Sequence, residues 1–167
     1  KEIEVILLGD ASGSMYSIYE RVLRAMLGIF ESLRVARTAV SVWVHTSNGG
    51  DFQDIPTLFH IASHRMHRET SNAQVAFGKA TLIDLRENYD GFAIKAVANH
   101  FTARNAKRVL IVLSDGEPAG RGYHSSLAIG HTKRAVNELR RQHKCEIISI
   151  SLVKGVDKKN DDIYGKE

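Results

Sequence analysis

The chain has 167 residues, of which 43% are hydrophobic, so it can bury one good core and we expect a single domain. Its net charge of +4 comes from interspersed basic and acidic residues typical of solvated helix faces, and no recognised nucleic-acid-binding module accompanies them. No apolar run approaches the roughly 20 residues of a membrane helix, and a lone cysteine, Cys145, cannot form an internal disulfide. We therefore expect a cytoplasmic domain with no membrane segment and no nucleic-acid partner.

The first apolar run, at residues 5–8, ends at Asp10, and a loop with two hydroxyl side chains, Ser12 and Ser14, follows. A short apolar run is typical of a strand buried on both faces, and ligands bind where such strands end in an open α/β sheet. Oxygen ligands favour a hard cation, Mg2+ before Ca2+. The three side chains are therefore predicted to converge on a metal ion.

Apolar residues at three- and four-residue steps over 18–33 predict an amphipathic helix. Over residues 38–46, valines alternate with other residues, His45 among them, so that the valines fall on one side of an extended chain. This alternation predicts a half-exposed strand. Turn residues at 47–50 and a second strand at 56–63 complete a hairpin. The hairpin places one antiparallel edge strand on an otherwise parallel sheet.

A short helix is predicted around residues 73–77, before a polar loop at 87–91 that leads into another helix. Asp90 lies where an N-cap would, a position at which the helix dipole favours a carboxylate. A second apolar run, at 109–113, ends near Asp115 and so repeats the arrangement of the first strand. This repetition predicts a second acidic side chain at the same edge of the sheet.

A helix from about residue 125 to 143 and a strand at 147–153 complete the pattern, and residues 154–167 are charged and poor in apolar side chains. We therefore divide the chain into a domain at 1–153 and a charged C-terminal tail or truncated element at 154–167. The order of elements predicts an α/β three-layer, doubly wound (Rossmann-like) fold.

Other chemistries fit the pattern less well. Helix capping and turn formation also explain the acid and hydroxyls of the first loop. A haloacid-type phosphatase would need a second acid where Ser12 stands, and a nucleotide-binding protein would need a phosphate-binding glycine loop, which does not occur. A serine nucleophile would need a base, which no histidine nearby in the sequence supplies. His60, His64 and His67 would meet only on a helix, whereas their apolar neighbours predict a strand, so we expect surface histidines rather than a zinc site.

Two segments together closely resemble the metal-ion-dependent adhesion site of von Willebrand factor A-type domains. They are DASGS at 10–14, of the form DxSxS, and SDG at 114–116. The resemblance covers nearly the whole chain. It implies that Ser12 and Ser14 coordinate Mg2+ directly, with Mn2+ or Ca2+ as alternatives, and that Asp10 and Asp115 bind it directly or through water.

The middle loop departs from the family pattern, because ENYDG at 87–91 has no threonine at the matching place. ENxDG is similar to the A-type domain of the cobaltochelatase subunit and its relatives, which work beside hexameric AAA+ ATPases of the MoxR-like group. The resemblance implies Asp90 as the third ligand, with Asn88 as an alternative. Asn88, Gly116 and Glu117 are expected to surround the ligands.

With Asp10, Asp90 and Asp115 all ionised, three carboxylates outweigh one divalent cation, which argues against integrin-like capture of an acidic ligand. We predict an Mg2+-binding interaction module of a larger chelatase-like or MoxR-associated protein that docks on an AAA+ ATPase or its substrate. We expect no catalysis by this domain alone and no small-molecule substrate. The alternatives are a cobaltochelatase subunit proper, which inserts metal into a tetrapyrrole, and an extracellular adhesion or ligand-binding domain.

Overall fold

A computed structural model of the protein describes residues 2–49, 54–103, 105–115, 118–152 and 157–165, with side chains from residue 161 onward in the last range. A 3-10 turn at Gly13–Met15 follows the first strand. The described strands and α-helices are, in chain order, β1 (Ile3–Asp10), α1 (Tyr19–Val35), β2 (Ala39–Asn48), β3 (Ile55–Ser63), α2 (Thr70–Ala80), α3 (Asp90–Ala98), β4 (Lys107–Ser114), α4 (Ser125–Gln142), β5 (Cys145–Ser151) and α5 (Asp157–Tyr164).

β1 lies at the centre of a sheet whose strand order is β3-β2-β1-β4-β5. It pairs in parallel with β2 and β4, and β4 pairs in parallel with β5. β2 and β3 pair antiparallel as a hairpin. The predicted α/β fold, with a mostly parallel sheet and one antiparallel edge strand, is confirmed. Its topology brings the carboxyl ends of β1, β2 and β4 to the same edge of the sheet.

Helices cover both faces of the sheet, which explains why β1 is apolar on both sides. Val5 and Leu7 belong to one core, which includes residues of α1 and α2, whereas Ile6 and Leu8 belong to a second core with residues of α3 and α4. All four side chains are at most 4% exposed. Burying each such side chain stabilises the fold by roughly 1.5–3 kcal/mol, so β1 is held firmly where its last residue, Asp10, begins the candidate site.

The structure departs from the sequence pattern in three local details. The helix predicted at 73–77 is part of the longer α2. Asp90 is the first residue of α3, and Tyr89 rather than Asp90 occupies the N-cap position. The alternation of β2 predicts a half-exposed His45, but this side chain is 2% exposed, because Asp90 at the start of α3 lies against it.

The C-terminal segment contains α5, which packs against α4 and β5. Ile163 and Tyr164 are each 3% exposed and join the core on the α3 and α4 side of the sheet. The boundary between residues 153 and 154 stays a prediction, because 153–156 lie outside the described residues. None of the described helices combines the length and the apolar composition that a membrane crossing requires.

Candidate metal centre

Three loops meet where β1, β2 and β4 end. Asp10, the last residue of β1, lies opposite His45 of β2 in the strand register, and Asp115 directly follows β4. The charge of Asp115 raises the pKa of both Asp10 and His45, as expected of a group in the same cluster. The third loop precedes α3 and contributes Asn88 and Asp90.

Asp10 is fully buried, with 0% exposure, and its carboxylate is fixed by hydrogen bonds. The Ser12 backbone N–H donates to Asp10 Oδ1 at 2.7 Å, and Asn88 Nδ2 donates to Asp10 Oδ2 at 2.8 Å. Ser114 Oγ lies 3.5 Å from the same Oδ2. Burial, together with the charges of Asp90 and Asp115, raises the pKa of Asp10 well above its ordinary value of 3.8, although His45 and Ser12 act in the opposite direction.

The hydroxyl loop is held by backbone contacts with neighbouring loops. The Gly13 N–H donates to the Arg86 carbonyl at 2.6 Å, and the Ala11 N–H donates to the His45 carbonyl at 2.8 Å. These bonds leave Ser12 Oγ and Ser14 Oγ 3.0 Å apart. Because Ser12 is buried and Ser14 is exposed, the pair lies between the carboxylates and solvent.

Asn88 connects the two buried carboxylates. Its side-chain amide donates to Asp10, and its Oδ1 accepts the backbone N–H of Asp90 at 3.0 Å. Its own backbone N–H donates to the Ala119 carbonyl at 2.9 Å. With both ends of its side chain occupied by protein groups, Asn88 is placed to orient Asp10 and Asp90 rather than to face an ion itself.

His45 is the residue of the site that the sequence pattern does not identify. Its Nε2 lies 3.2 Å from Asp90 Oδ1, and each of the two side chains is 2% exposed. Among the described residues, neither ring nitrogen of His45 has a partner in hydrogen-bond geometry. The same is true of Asp90 Oδ1. Burial alone would lower the pKa of His45, but Asp90, Asp10 and Asp115 together outweigh it and raise that pKa above 6.5. The only sequence signal for His45 is its position at the end of a strand.

The start of α3 is fixed by a cluster of aromatic side chains. The Gly91 N–H donates to Tyr123 Oη at 3.2 Å, and Tyr123 Oη lies 2.9 Å from His131 Nδ1. A Cβ on residue 91 would lie 2.4 Å from His131 Nδ1 and 2.7 Å from Tyr123 Oη. Only glycine therefore fits directly after Asp90, which explains why Gly91 follows this aspartate. The contact of the Gly91 N–H with Tyr123 holds the start of α3, and with it the Asp90 carboxylate, in position.

The chemistry of this cluster fits a hard divalent cation. Within the ranges that the structure describes, no three His, Cys, Asp or Glu side chains are arranged to hold a metal ion by themselves. Asp90 Oδ1 is buried with His45 Nε2 3.2 Å away but without a hydrogen bond of good geometry, so a cation would compensate its charge more fully. Gly116 and Glu117 lie outside the described residues, and the coordinating roles of the others stay predictions.

Comparison with known proteins identifies the domain type. The sequence profile of the von Willebrand factor type A domain matches residues 4–165. "Uncharacterized protein YojO" of Bacillus subtilis (strain 168) is 29% identical over 178 aligned residues, which cover 99% of this chain and 27% of that protein. The chain thus spans about a quarter of the length of that relative.

Two solved structures share the fold. The manganese-loaded Plasmodium vivax TRAP protein superposes with a TM-score of 0.72 at 16% identity, over 99% of this chain and 63% of that one. Proximal thread matrix protein 1 from the mussel byssus, with a zinc-occupied MIDAS motif, superposes with a TM-score of 0.62 at 14% identity, over 97% and 41%. The profile match extends over nearly all of the sequence, and the chain belongs to the von Willebrand factor type A domain family.

Proposed function

We propose that this domain is a divalent-cation-dependent protein-interaction module in which Asp10, Ser12, Ser14, Asp90 and Asp115 hold Mg2+. The observation that carries the proposal is Asp90 Oδ1, which is buried without a hydrogen bond beside the equally buried Asp10. A buried carboxylate oxygen whose contact with an imidazole lacks hydrogen-bond geometry is incompletely compensated, and a cation is the partner that suits it. The manganese-loaded TRAP structure and the zinc-occupied MIDAS motif of the byssus structure support binding of a divalent ion by a domain of this fold.

The protein groups have distinct roles in this proposal. Asn88 orients the two buried carboxylates through its contacts with Asp10 Oδ2 and the Asp90 backbone. Ser12 and Ser14 supply neutral oxygens at the solvent side, so a partner can approach the ion there. When bound, the ion supplies an electrophilic centre to which an oxygen of that partner can attach.

The charge of the site indicates how the partner must differ from an integrin ligand. Three aspartates and a divalent ion leave a net charge of −1, and His45 neutralises it only when protonated. We therefore propose a partner that brings a neutral oxygen or a positive charge, rather than an acidic residue alone. A MoxR-like AAA+ ATPase, or its substrate, in the cytoplasm is the partner that the ENYDG resemblance supports.

The metal proposal is tested by calorimetric titration of Mg2+ into the purified domain. We expect the wild type to bind and Asp115→Ala to lose that heat, and Asp90→Thr to bind more weakly because a charged ligand is replaced by a neutral one. Asp84→Ala is the matched control, because Asp84 is an exposed carboxylate that pairs with Arg86. Unchanged affinity in Asp115→Ala would show that the metal site is wrongly placed.

The partner proposal needs a separate measurement. The domain is mixed with a purified hexameric MoxR-like ATPase, and co-elution is followed by size-exclusion chromatography in Mg2+ and in EDTA. We expect a complex in Mg2+ only, lost in Asp115→Ala and kept in Asp84→Ala. A complex that forms equally in EDTA would show that binding of the partner does not depend on the metal.

A further inference from the structure

β3 is an edge strand with an uncharged outer side. Among the described residues no strand pairs with it on the side away from β2. Its nine residues, IPTLFHIAS, include no Asp, Glu, Lys or Arg, whereas natural edge strands are commonly protected by charged side chains. Pro56 lies near its start, and the register skips Ile61 as a bulge, so the regular part is short. That part presents main-chain groups on which another strand can pair.

Apolar grooves accompany this edge on both faces of the sheet. One groove, of about 500 Å3, lies between β3 and α3 and is lined by Leu58, Phe92 and Ala96, among others. The other, of about 580 Å3, lies between β3 and α2 and is lined by Phe59 and Val75, among others. Phe92 is 47% exposed and Val75 is 59% exposed, so both grooves present uncovered apolar surface.

The alternation of β3 matches the two grooves. Leu58 lines the groove beside α3, and its neighbour Phe59 lines the groove beside α2. A strand added to this edge would send its own alternate side chains to the same two faces. Its main chain would supply affinity and the two grooves would select its side chains, as in recognition by strand addition.

Charge distinguishes a foreign strand from a second copy. The groove beside α2 is lined by the basic side chains of Lys79 and His67, and no carboxylate is among its lining residues. Antiparallel pairing of two copies through β3 would bring two such groups of basic side chains to the same face, which is unfavourable. A segment that carries a carboxylate is complementary to this groove.

We propose that β3 takes up an extended segment of another protein as an additional strand, with alternating apolar side chains in the two grooves and a carboxylate near Lys79. None of the candidate metal ligands lines either groove, although His45, which contacts Asp90, lines the groove beside α3. Binding is therefore expected in EDTA as well as in Mg2+, so the proposal stands or fails independently of the metal.

The probe is a fluorescein-labelled peptide of two Val-Val-Thr-Thr repeats, which sends valines to both faces, that ends in two glutamates, compared with one that ends in two lysines. Binding is measured by fluorescence anisotropy in EDTA. We expect the glutamate peptide to bind more tightly to the wild type by roughly threefold, the size of an exposed ion pair. Lys79→Glu should reverse this preference.

Two matched valine variants test the groove. Val75→Glu should weaken the glutamate peptide by roughly tenfold, because it puts a charge in an apolar groove and repels the peptide. Val35→Glu is the control, since Val35 is 74% exposed on α1 and lines neither groove. Amide hydrogen exchange should slow on residues 57–60 when the peptide binds. Because both valines are exposed, both variants are expected to fold.

Three outcomes would overturn the proposal. The first is absence of peptide binding at millimolar concentration. The second is equal weakening by Val75→Glu and Val35→Glu. The third is self-association of the chain with protection of residues 57–60, which would make a second copy the occupant of the edge.

Discussion

The two ends of β1 hold buried acidic residues in opposite circumstances. At the amino end, Glu4 is 6% exposed and accepts hydrogen bonds from Thr102 N–H, Thr102 Oγ1 and Ala103 N–H at 2.9–3.1 Å. At the carboxyl end, Asp10 is bonded, but Asp90 beside it keeps an oxygen that is buried without a hydrogen bond. Glu4 receives its hydrogen bonds from the protein, whereas Asp90 Oδ1, which contacts His45 Nε2 at 3.2 Å without a hydrogen bond, can still accept a ligand.

The largest expected effect is stabilisation of the wild type by metal. An ion that binds only the native state raises the free energy of unfolding by about 2.7 kcal/mol when its concentration is 100 times its dissociation constant. We expect Mg2+ to produce this gain and the isosteric Asp10→Asn to abolish it, because a ligand charge is removed. Urea unfolding with and without Mg2+ measures both. An equal gain in unfolding free energy on adding Mg2+ to Asp10→Asn would show that the Asp10 charge does not bind the metal, and the two ends of β1 would then not differ in this respect.

Removing the acid at the other end should have the complementary effect. Glu4→Ala leaves the Thr102 and Ala103 donors without their charged acceptor, and we expect the free energy of unfolding to fall by about 2 kcal/mol. The gain on adding Mg2+ should be unchanged. Glu20→Ala, which removes an exposed partner of Arg24, is the control and should change stability by less than about 0.5 kcal/mol. A Glu4→Ala protein that lost its response to Mg2+ would contradict the structural role.

A smaller effect is expected for Asn88, because it contacts the two buried carboxylates and we propose that it orients them. Asn88→Ala removes the donor to Asp10 and the acceptor for the Asp90 N–H, so the affinity for Mg2+ should fall by roughly tenfold. Calorimetry against the wild type measures the change. Asn99→Ala, an exposed asparagine just after α3, serves as the control. Complete loss of binding would instead make Asn88 a direct ligand.

Local sequence pattern predicts the parts of this protein that depend on neighbours along the chain. The apolar runs of β1 and β4 identify the central parallel strands, and the rule that ligands bind at strand ends selects Asp10 and Asp115. The turn residues at 47–50 identify the hairpin. Each of these features is encoded within about ten residues, which is the range over which periodicity can be read.

The missed features depend on distant contacts. His45 looks half-exposed from the alternation of its strand, but Asp90, 45 positions later, covers it. Tyr123 and His131 fix Gly91 from 32 and 40 positions away, and they show no pattern of their own. Side chains that support a site from another element carry little local signal, so a single sequence predicts candidate ligands more readily than the residues that support them.

The smallest expected effect concerns the titration of His60, which contrasts with that of His45. His60 stacks on Trp43, with ring centroids 4.2 Å apart, in the pocket that also contains Glu4. Burial, with the nearby His67 and His100, lowers the pKa of His60 despite its contact with the Ala62 carbonyl, whereas the aspartates raise that of His45. The folded state therefore favours neutral His60, and the stability it contributes is present above pH 6.5 and is lost as the pH falls through the lowered pKa.

Trp43, the one tryptophan of the chain, reports this titration directly. We expect its fluorescence to fall as His60 gains a proton, with a midpoint below pH 6.5, and to lose that step in His60→Phe. His100→Leu removes the second imidazole stacked on Trp43, at 4.0 Å, and isolates the His60 step. A midpoint above pH 6.5 in His100→Leu would mean that a carboxylate governs this end of the sheet as well, and the contrast between the two ends would fail.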